Sequence, residues 1–298
     1  MQPKDEAPAT TRVSEERSTG SIVVGVDGSA PSRSAIAWAM RRASLTGAAV
    51  VLAHVMDDDG SDVGDGASDP HGPVDLERLR SAIAFLDGEL AHAQLLDRSV
   101  AVTTELLRGD PLDRLAEASA GRAMVAVGTH KTGFVQGRVF GSRFIQLAAL
   151  AACTVAFIPN SASSPRHGVV VGVGGIARDE ETIRFAAREA DRTGQELVIV
   201  HCRPASTDDY GPEGSPTRWD PVGDAAEAVA RQGHPSLDIR RRTLNRSPAE
   251  GLVDGSMSAA LVVTGRTHRA SDRPGSVGTI VHDVLLNLAA PTVIVHAA

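Results

Sequence analysis

Cysteine is nearly missing from this chain of 298 residues, which has only Cys153 and Cys202. Two thiols cannot make a disulfide framework, and their spacing builds no metal site. Both lie inside apolar segments and are expected to be reduced, buried thiols in a reducing compartment. Aromatic residues are equally scarce, at 3%, which argues against binding single-stranded nucleic acid by base stacking. There is no excess of positive charge either. The formal net charge of −7 gives no general attraction to nucleic acid or to an anionic membrane. The run Arg240-Arg241-Arg242 is the main exception and reads as a solvated strand end. No apolar run approaches the roughly 20 residues needed to cross a bilayer. The opening segment MQPKDEAPATTRVSEERSTG has mixed charge and no apolar centre, so it reads as neither a signal peptide nor an anchor. A soluble, cytoplasmic protein is expected.

What the chain does contain is a hydrophobic content of 42% and an internal repeat. SIVVGVDGS at 21–29 echoes GVVVGVGGI at 168–176, and AAVVLAHV at 48–55 echoes QELVIVHC at 195–202, both at an offset of 147 residues. MVAVGTH at 124–130 then echoes LVVTGRT at 261–267 at an offset of 137, because the middle loop of the second copy is shorter. Gly141-Ser142 matches Gly278-Thr279, and CTVAFIP matches PTVIVHA. So long a period means two tandem domains rather than a solenoid. Residues 1–20 are expected to form a disordered tail. Domain 1 is placed at 21–159, a linker at 160–167 and domain 2 at 168–298.

Within each copy, apolar β-rich runs alternate with alanine-rich helical stretches. PSRSAIAWAMRRASLTG carries Ile36, Ala39, Met40 and Ala43 at helical spacing and ends on Gly47 as a C-cap. PLDRLAEASAG begins with Pro111 in its first turn and closes on Gly121. Strands such as VVLAHV are apolar throughout, as expected when helices cover both faces of a sheet. This alternation predicts five strands per copy in a parallel sheet with right-handed crossovers. The acidic stretch MDDDGSDVGDGASDPHGP offers Asp57, Asp59 and Ser61 at calcium-loop spacing. However, Asp62 stands where such a loop requires glycine and no glutamate closes it, so a mobile surface loop is expected.

The blocks VGVDGS, LAHV, RGDP before a helix, VGTH…GS and CTVAFIP, in this order, resemble a universal stress protein domain. The likeness covers both copies. It implies two tandem Rossmann-like domains of the adenine nucleotide alpha hydrolase-like kind, each an open sheet of order 3-2-1-4-5. Ligands of such sheets bind beyond the carboxyl ends of the strands, where the strand order reverses. One branch of the family binds ATP there through a glycine-rich loop, and another lacks the motif.

The resemblance places copy one's candidate nucleotide site at Asp27, Val55, Gly109, Val127, Gly128, Lys131, Gly141 and Ser142. Asp27 would accept from ribose hydroxyls, and Val55 and Val127 would pack on adenine. Gly109 and Gly128 would let backbone approach the ligand, while Gly141 and Ser142 would donate to phosphate near a helix N-terminus. Lys131 occupies the loop's interior glycine position. Its stem could block the loop, or its ammonium could neutralise phosphate charge; both readings stay open. Copy two keeps Gly265, Gly278 and Thr279, but has Gly174, Arg246 and His268 in place of Asp27, Gly109 and Lys131, and is expected to be degenerate. His54 and His201 read as hydrogen-bonded strand-end residues, His130 as a solvated loop residue and Trp38 as packing.

The expected function is therefore a non-catalytic stress-response protein that binds ATP or another adenine nucleotide, with or without Mg²⁺, mainly in domain 1. A nucleotide-free interaction or phosphorylation-regulated module is one alternative, and a slow ATPase is another. No nucleophile with its base and no paired carboxylates favour an enzyme. The family pairs domains edge to edge through the last strand, so an internal pseudo-dimer is expected, with a further homodimer possible.

Overall fold

A computed structural model describes residues 20–56, 76–129, 138–160, 166–203, 220–266 and 277–296, with the side chains of 138–142 excluded. Residues 1–19, the acidic stretch from Asp57 on, and Lys131, His130 and His268 therefore lie outside the described residues. Copy one runs β1 (Ile22–Gly25), α1 (Ala30–Thr46), β2 (Val50–Met56), α2 (Leu76–Leu96), β3 (Val102–Arg108), α3 (Pro111–Ala118), β4 (Met124–Thr129), α4 (Arg138–Leu150) and β5 (Thr154–Pro159). Copy two repeats the plan with β6 (Val169–Val173), α5 (Ile176–Thr193), β7 (Leu197–Cys202), α6 (Pro221–Gly233), β8 (Ile239–Leu244), α7 (Pro248–Ser256), β9 (Leu261–Gly265), α8 (Thr279–Leu286) and β10 (Thr292–Val295).

Local chemistry sets the helix ends. Ser29 caps α1 by accepting from the Ser32 amide at 3.2 Å, Pro31 sits in the first turn, and Gly47 closes the helix in the left-handed conformation at φ 71°. Helix α3 stops three residues before the predicted Gly121. Its Ser119 hydroxyl accepts from the Ala152 amide at 2.7 Å, which ties the chain there to the end of α4.

The ten strands form one sheet of order β3-β2-β1-β4-β5-β10-β9-β6-β7-β8. Each copy thus has the predicted order 3-2-1-4-5, entirely parallel within itself. The copies join where β5 and β10 pair antiparallel, with Thr292 opposite Phe157 and Ile294 opposite Val155. This is the expected internal pseudo-dimer, and it covers two apolar edges that would otherwise be open. The free edge at β8 carries Arg240, Arg241 and Arg242, all exposed; Arg240 pairs with Glu196 at 3.0 Å and Arg241 with Asp224 and Glu227. The basic run is a solvated edge strand, as read from the sequence.

The core lies on both faces of the sheet. One face of both copies is covered by α1, α2, α5 and α6 around Ile22, Leu52, Met124 and Ile183. The other face of copy one buries Phe157 and Leu147 under α3 and α4, joined by Val281 and Leu285 from α8 of copy two. Each such side chain contributes about 1.5–3 kcal/mol on burial. Because α8 packs across the junction, the halves share a core as well as a strand pair. No described helix is long and apolar enough to cross a membrane.

Candidate functional site

In each copy the strand order reverses between the first and fourth strands, which leaves a crevice at their carboxyl ends. In copy one β1 runs into Asp27, which is exposed. Asp27 Oδ1 accepts from the Ser29 amide at 2.9 Å, and the Asp27 amide donates to Ser32 Oγ at 3.3 Å. Gly28 follows with a left-handed φ of 79°. An ionised carboxylate has about four lone-pair sites, so this turn bond leaves Asp27 able to accept from a ligand. Val55 lies half-buried at the end of β2 and Val127 is buried in β4. Gly109 has φ 119° and donates to the Met56 carbonyl at 3.0 Å, a conformation that favours glycine.

Gly128 has a structural reason of its own. A Cβ there would sit 2.2 Å from the Pro31 carbonyl carbon and oxygen and 2.5 Å from the Ser32 nitrogen. The first turn of α1 therefore rests directly on β4. Gly141 and Ser142 are the fourth and fifth residues of α4, because that helix begins at Arg138. Their counterparts in copy two stand one turn nearer the helix end: Gly278 is the N-cap of α8 and Thr279 its first residue.

Copy two holds a formed cavity of about 250 Å³ at its reversal point. Val173, Val200 and Thr264 floor it, Leu252 of α7 walls it, and Gly278 and Thr279 present the α8 N-terminus. Gly278 makes no side-chain cap bond, so among the described residues no N-cap side chain serves the first amides of α8. Gly265 is held close by α5, since a Cβ there would lie 2.8 Å from Thr182 Oγ1.

Asp179, also on this cavity, went unrecognised in the sequence. It is 5% exposed, and its Oδ2 accepts from the Gly174 amide at 2.7 Å and the Gly175 amide at 2.9 Å. The repeat offset pairs Asp179 with Ser32, whose hydroxyl performs the same turn-capping task in copy one. The second copy therefore has no acid in the turn at Gly174 but has one on the helix behind it. Its neighbour Arg178 is exposed at the rim, a cation in the first turn of α5. That is the unfavourable end of the helix dipole for a cation unless an anion is bound there.

His54 and His201 are engaged in structure. His54 Nδ1 donates to the Val26 carbonyl at 2.8 Å, and its ring lies 4.7 Å from Phe85. His201 Nδ1 bonds Asp220 Oδ1 at 2.8 Å; Asp220 also accepts from Gly223 at 3.0 Å and from Thr243 Oγ1 at 2.7 Å. Burial pushes the Asp220 carboxyl up, but the bonds from Thr243, Gly223 and His201 outweigh it and leave it below the ordinary value. Thr243 donates to the carboxylate rather than to the imidazole, so the trio is not a nucleophile with a base. Both cysteines are free. Burial raises both thiols, that of Cys153 to about 11, so neither is a ready nucleophile near neutral pH. Among the described residues no three metal-ligating side chains cluster.

Comparison with known proteins agrees with this geometry. The model of the Universal stress protein family matches residues 19–159 and again 166–296. A universal stress protein of Mycobacterium tuberculosis, Rv2005c, is 28% identical over 294 residues, covering 95% of this chain and 99% of its own. Among solved structures, a universal stress protein from Archaeoglobus fulgidus covers 94% of this chain and 100% of its own at a TM-score of 0.66 and 13% identity. A second, from Pseudomonas aeruginosa, covers 94% of each chain at a TM-score of 0.55 and 16% identity. Two tandem matches and one shared fold lead to a single conclusion: this chain belongs to the universal stress protein family.

Proposed function

We propose that the chain is a non-catalytic, cytoplasmic stress-response protein that binds ATP or another adenine nucleotide, principally in copy one. The observation that supports this most directly is the exposed Asp27 carboxylate at the carboxyl end of β1, beside β4 and the left-handed Gly28. A carboxylate there suits ribose hydroxyls, which donate and need an acceptor. Half-buried Val55 at the end of β2 offers apolar surface for a base, whereas Val127 is taken up by the core. In copy two the equivalent turn residue is Gly174, and Asp179 spends Oδ2 on two backbone amides. That favours copy one for a nucleoside. A non-catalytic role agrees with the engagement of His54 and His201 by structural partners.

Equilibrium dialysis of the full chain against ATP and cyclic AMP tests the reading. Binding that is lost in Asp27→Ala supports it. A folded protein that binds neither ligand at millimolar concentration removes it. One observation favours a nucleotide-free interaction module instead: Gly128 is demanded by the contact with α1 whether or not a phosphate approaches. In that case neither dialysis nor Asp27→Ala would show any nucleotide effect.

A further inference from the structure

At the junction of the two copies, Arg42 of α1 forms an ion pair with Glu189 of α5. The two residues are 147 apart, which is the repeat offset itself. They are thus the same position in each copy. The antiparallel β5–β10 pair relates the halves by an approximate two-fold axis, and equivalent residues that touch each other must lie on such an axis. Their neighbours obey the same relation. The Arg42 guanidinium lies 5.8 Å from the ring of Trp38 and 5.1 Å from that of Phe185, again an equivalent pair.

The chemistry at this axis is asymmetric. The side chains of Arg42 and Glu189 are 14% and 6% exposed, so neither charge is freely hydrated. Glu189 also pairs with Arg192, and Arg188 pairs with Glu181 at 2.8 Å. Copy one has the apolar Leu45 where copy two has Arg192. Pairing copy one with a second copy one would set Arg42 against Arg42 at a largely buried point where, among the described residues, copy one brings no carboxylate of its own. Pairing copy two with itself would set Glu189 against Glu189, each with only its own Arg192 beside it and no Arg42 to answer it across the axis. Like charges facing each other out of water are strongly repelled. An axis position is the one place where a true homodimer cannot supply opposite charges, and the tandem chain has used its freedom there.

From this geometry we infer that Arg42 and Glu189 select the partner: they make each half pair with the unlike half and reject a second copy of itself. Arg42 and Glu189 border an open cleft between the copies of about 560 Å³, so salt can reach the pair and screen it. Full-length variants R42E and E189R place like charges on the axis, the exchange R42E/E189R restores opposite charges, and R42Q and E189Q remove one charge without adding repulsion. Thermal midpoints are read at low and high salt. Each charge reversal should lower the midpoint by about 5 °C or more and by more than its glutamine counterpart, and salt should narrow that difference. The exchange variant should recover at least half of the summed loss. Losses that simply add in the exchange, or reversals no worse than the glutamine variants, overturn the inference. Should a reversal fail to fold, the cycle through R42Q, E189Q and R42Q/E189Q decides: coupling between the two sites upholds partner selection and additivity refutes it.

Discussion

Substituting Gly128 by alanine separates packing from ligand approach at the most constrained point of the crevice. The added Cβ would lie 2.2 Å from the backbone carbonyl of Pro31 and 2.5 Å from the Ser32 nitrogen, well inside van der Waals contact. The atoms it meets belong to backbone in the first turn of α1, whose core side includes Ala35, Ile36 and Ala39, all 0% exposed. Relief therefore requires the helix to lift from β4, and nothing at the end of a flexible side chain can yield instead. Overpacking of this kind costs about 1–3 kcal/mol, and contact with rigid backbone puts it at the upper end. For a chain of this size, about 3 kcal/mol corresponds to a fall in thermal midpoint of roughly 5 °C. Gly47→Ala is the reference: its left-handed φ of 71° is strained but a Cβ meets nothing within 4 Å, so about 1 kcal/mol is expected. Differential scanning calorimetry without nucleotide measures both. Gly128→Ala with an unchanged midpoint would refute the close-packing reason for this glycine and return it to ligand approach alone.

Three further outcomes follow from the geometry. Asp179→Ala leaves the Gly174 and Gly175 amides without their acceptor and should destabilise the fold by about 1–3 kcal/mol in urea unfolding, whereas Asp179→Ser, which copies Ser32, should recover part of the loss. Alkylation of Cys153 by iodoacetamide should be slow at neutral pH and rise only as pH approaches the raised value of about 11. Because this thiol's pKa is raised above its ordinary value of 9.0, its contribution to stability is present below that value and is lost as pH climbs from there to about 11. Conversely, the lowered Asp220 carboxyl stabilises the fold above its ordinary value of 3.8, and that contribution should vanish as pH falls through the lowered folded value; Thr243→Val should bring the carboxyl back toward 3.8 by NMR titration.

The architecture was legible because it rests on period and pattern. Apolar strands alternating with helices gave five parallel strands per copy, while the order of those strands and the β5–β10 junction came only from the family resemblance. Gly47 marked the end of α1 by its local chemistry alone. Features that depend on the third dimension were invisible. Asp179 stands five residues beyond the turn it caps and matches no site motif; only its alignment with Ser32 at the repeat offset could have exposed it. The tight seat of Gly128 on Pro31 requires knowing how closely α1 approaches β4. Arg42 and Glu189 look like ordinary helix-surface charges until the two copies meet. At α3 the regular helix ends at Ala118, and Gly121 closes the turn that follows it in the left-handed conformation at φ 69°.

The placement of the nucleotide in copy one is tested most directly by native mass spectrometry of the intact chain with ATP. One nucleotide per chain is expected, absent in Asp27→Ala and retained in Asp179→Ala. Two nucleotides per chain, or one that survives Asp27→Ala and disappears with Asp179→Ala, would contradict that placement.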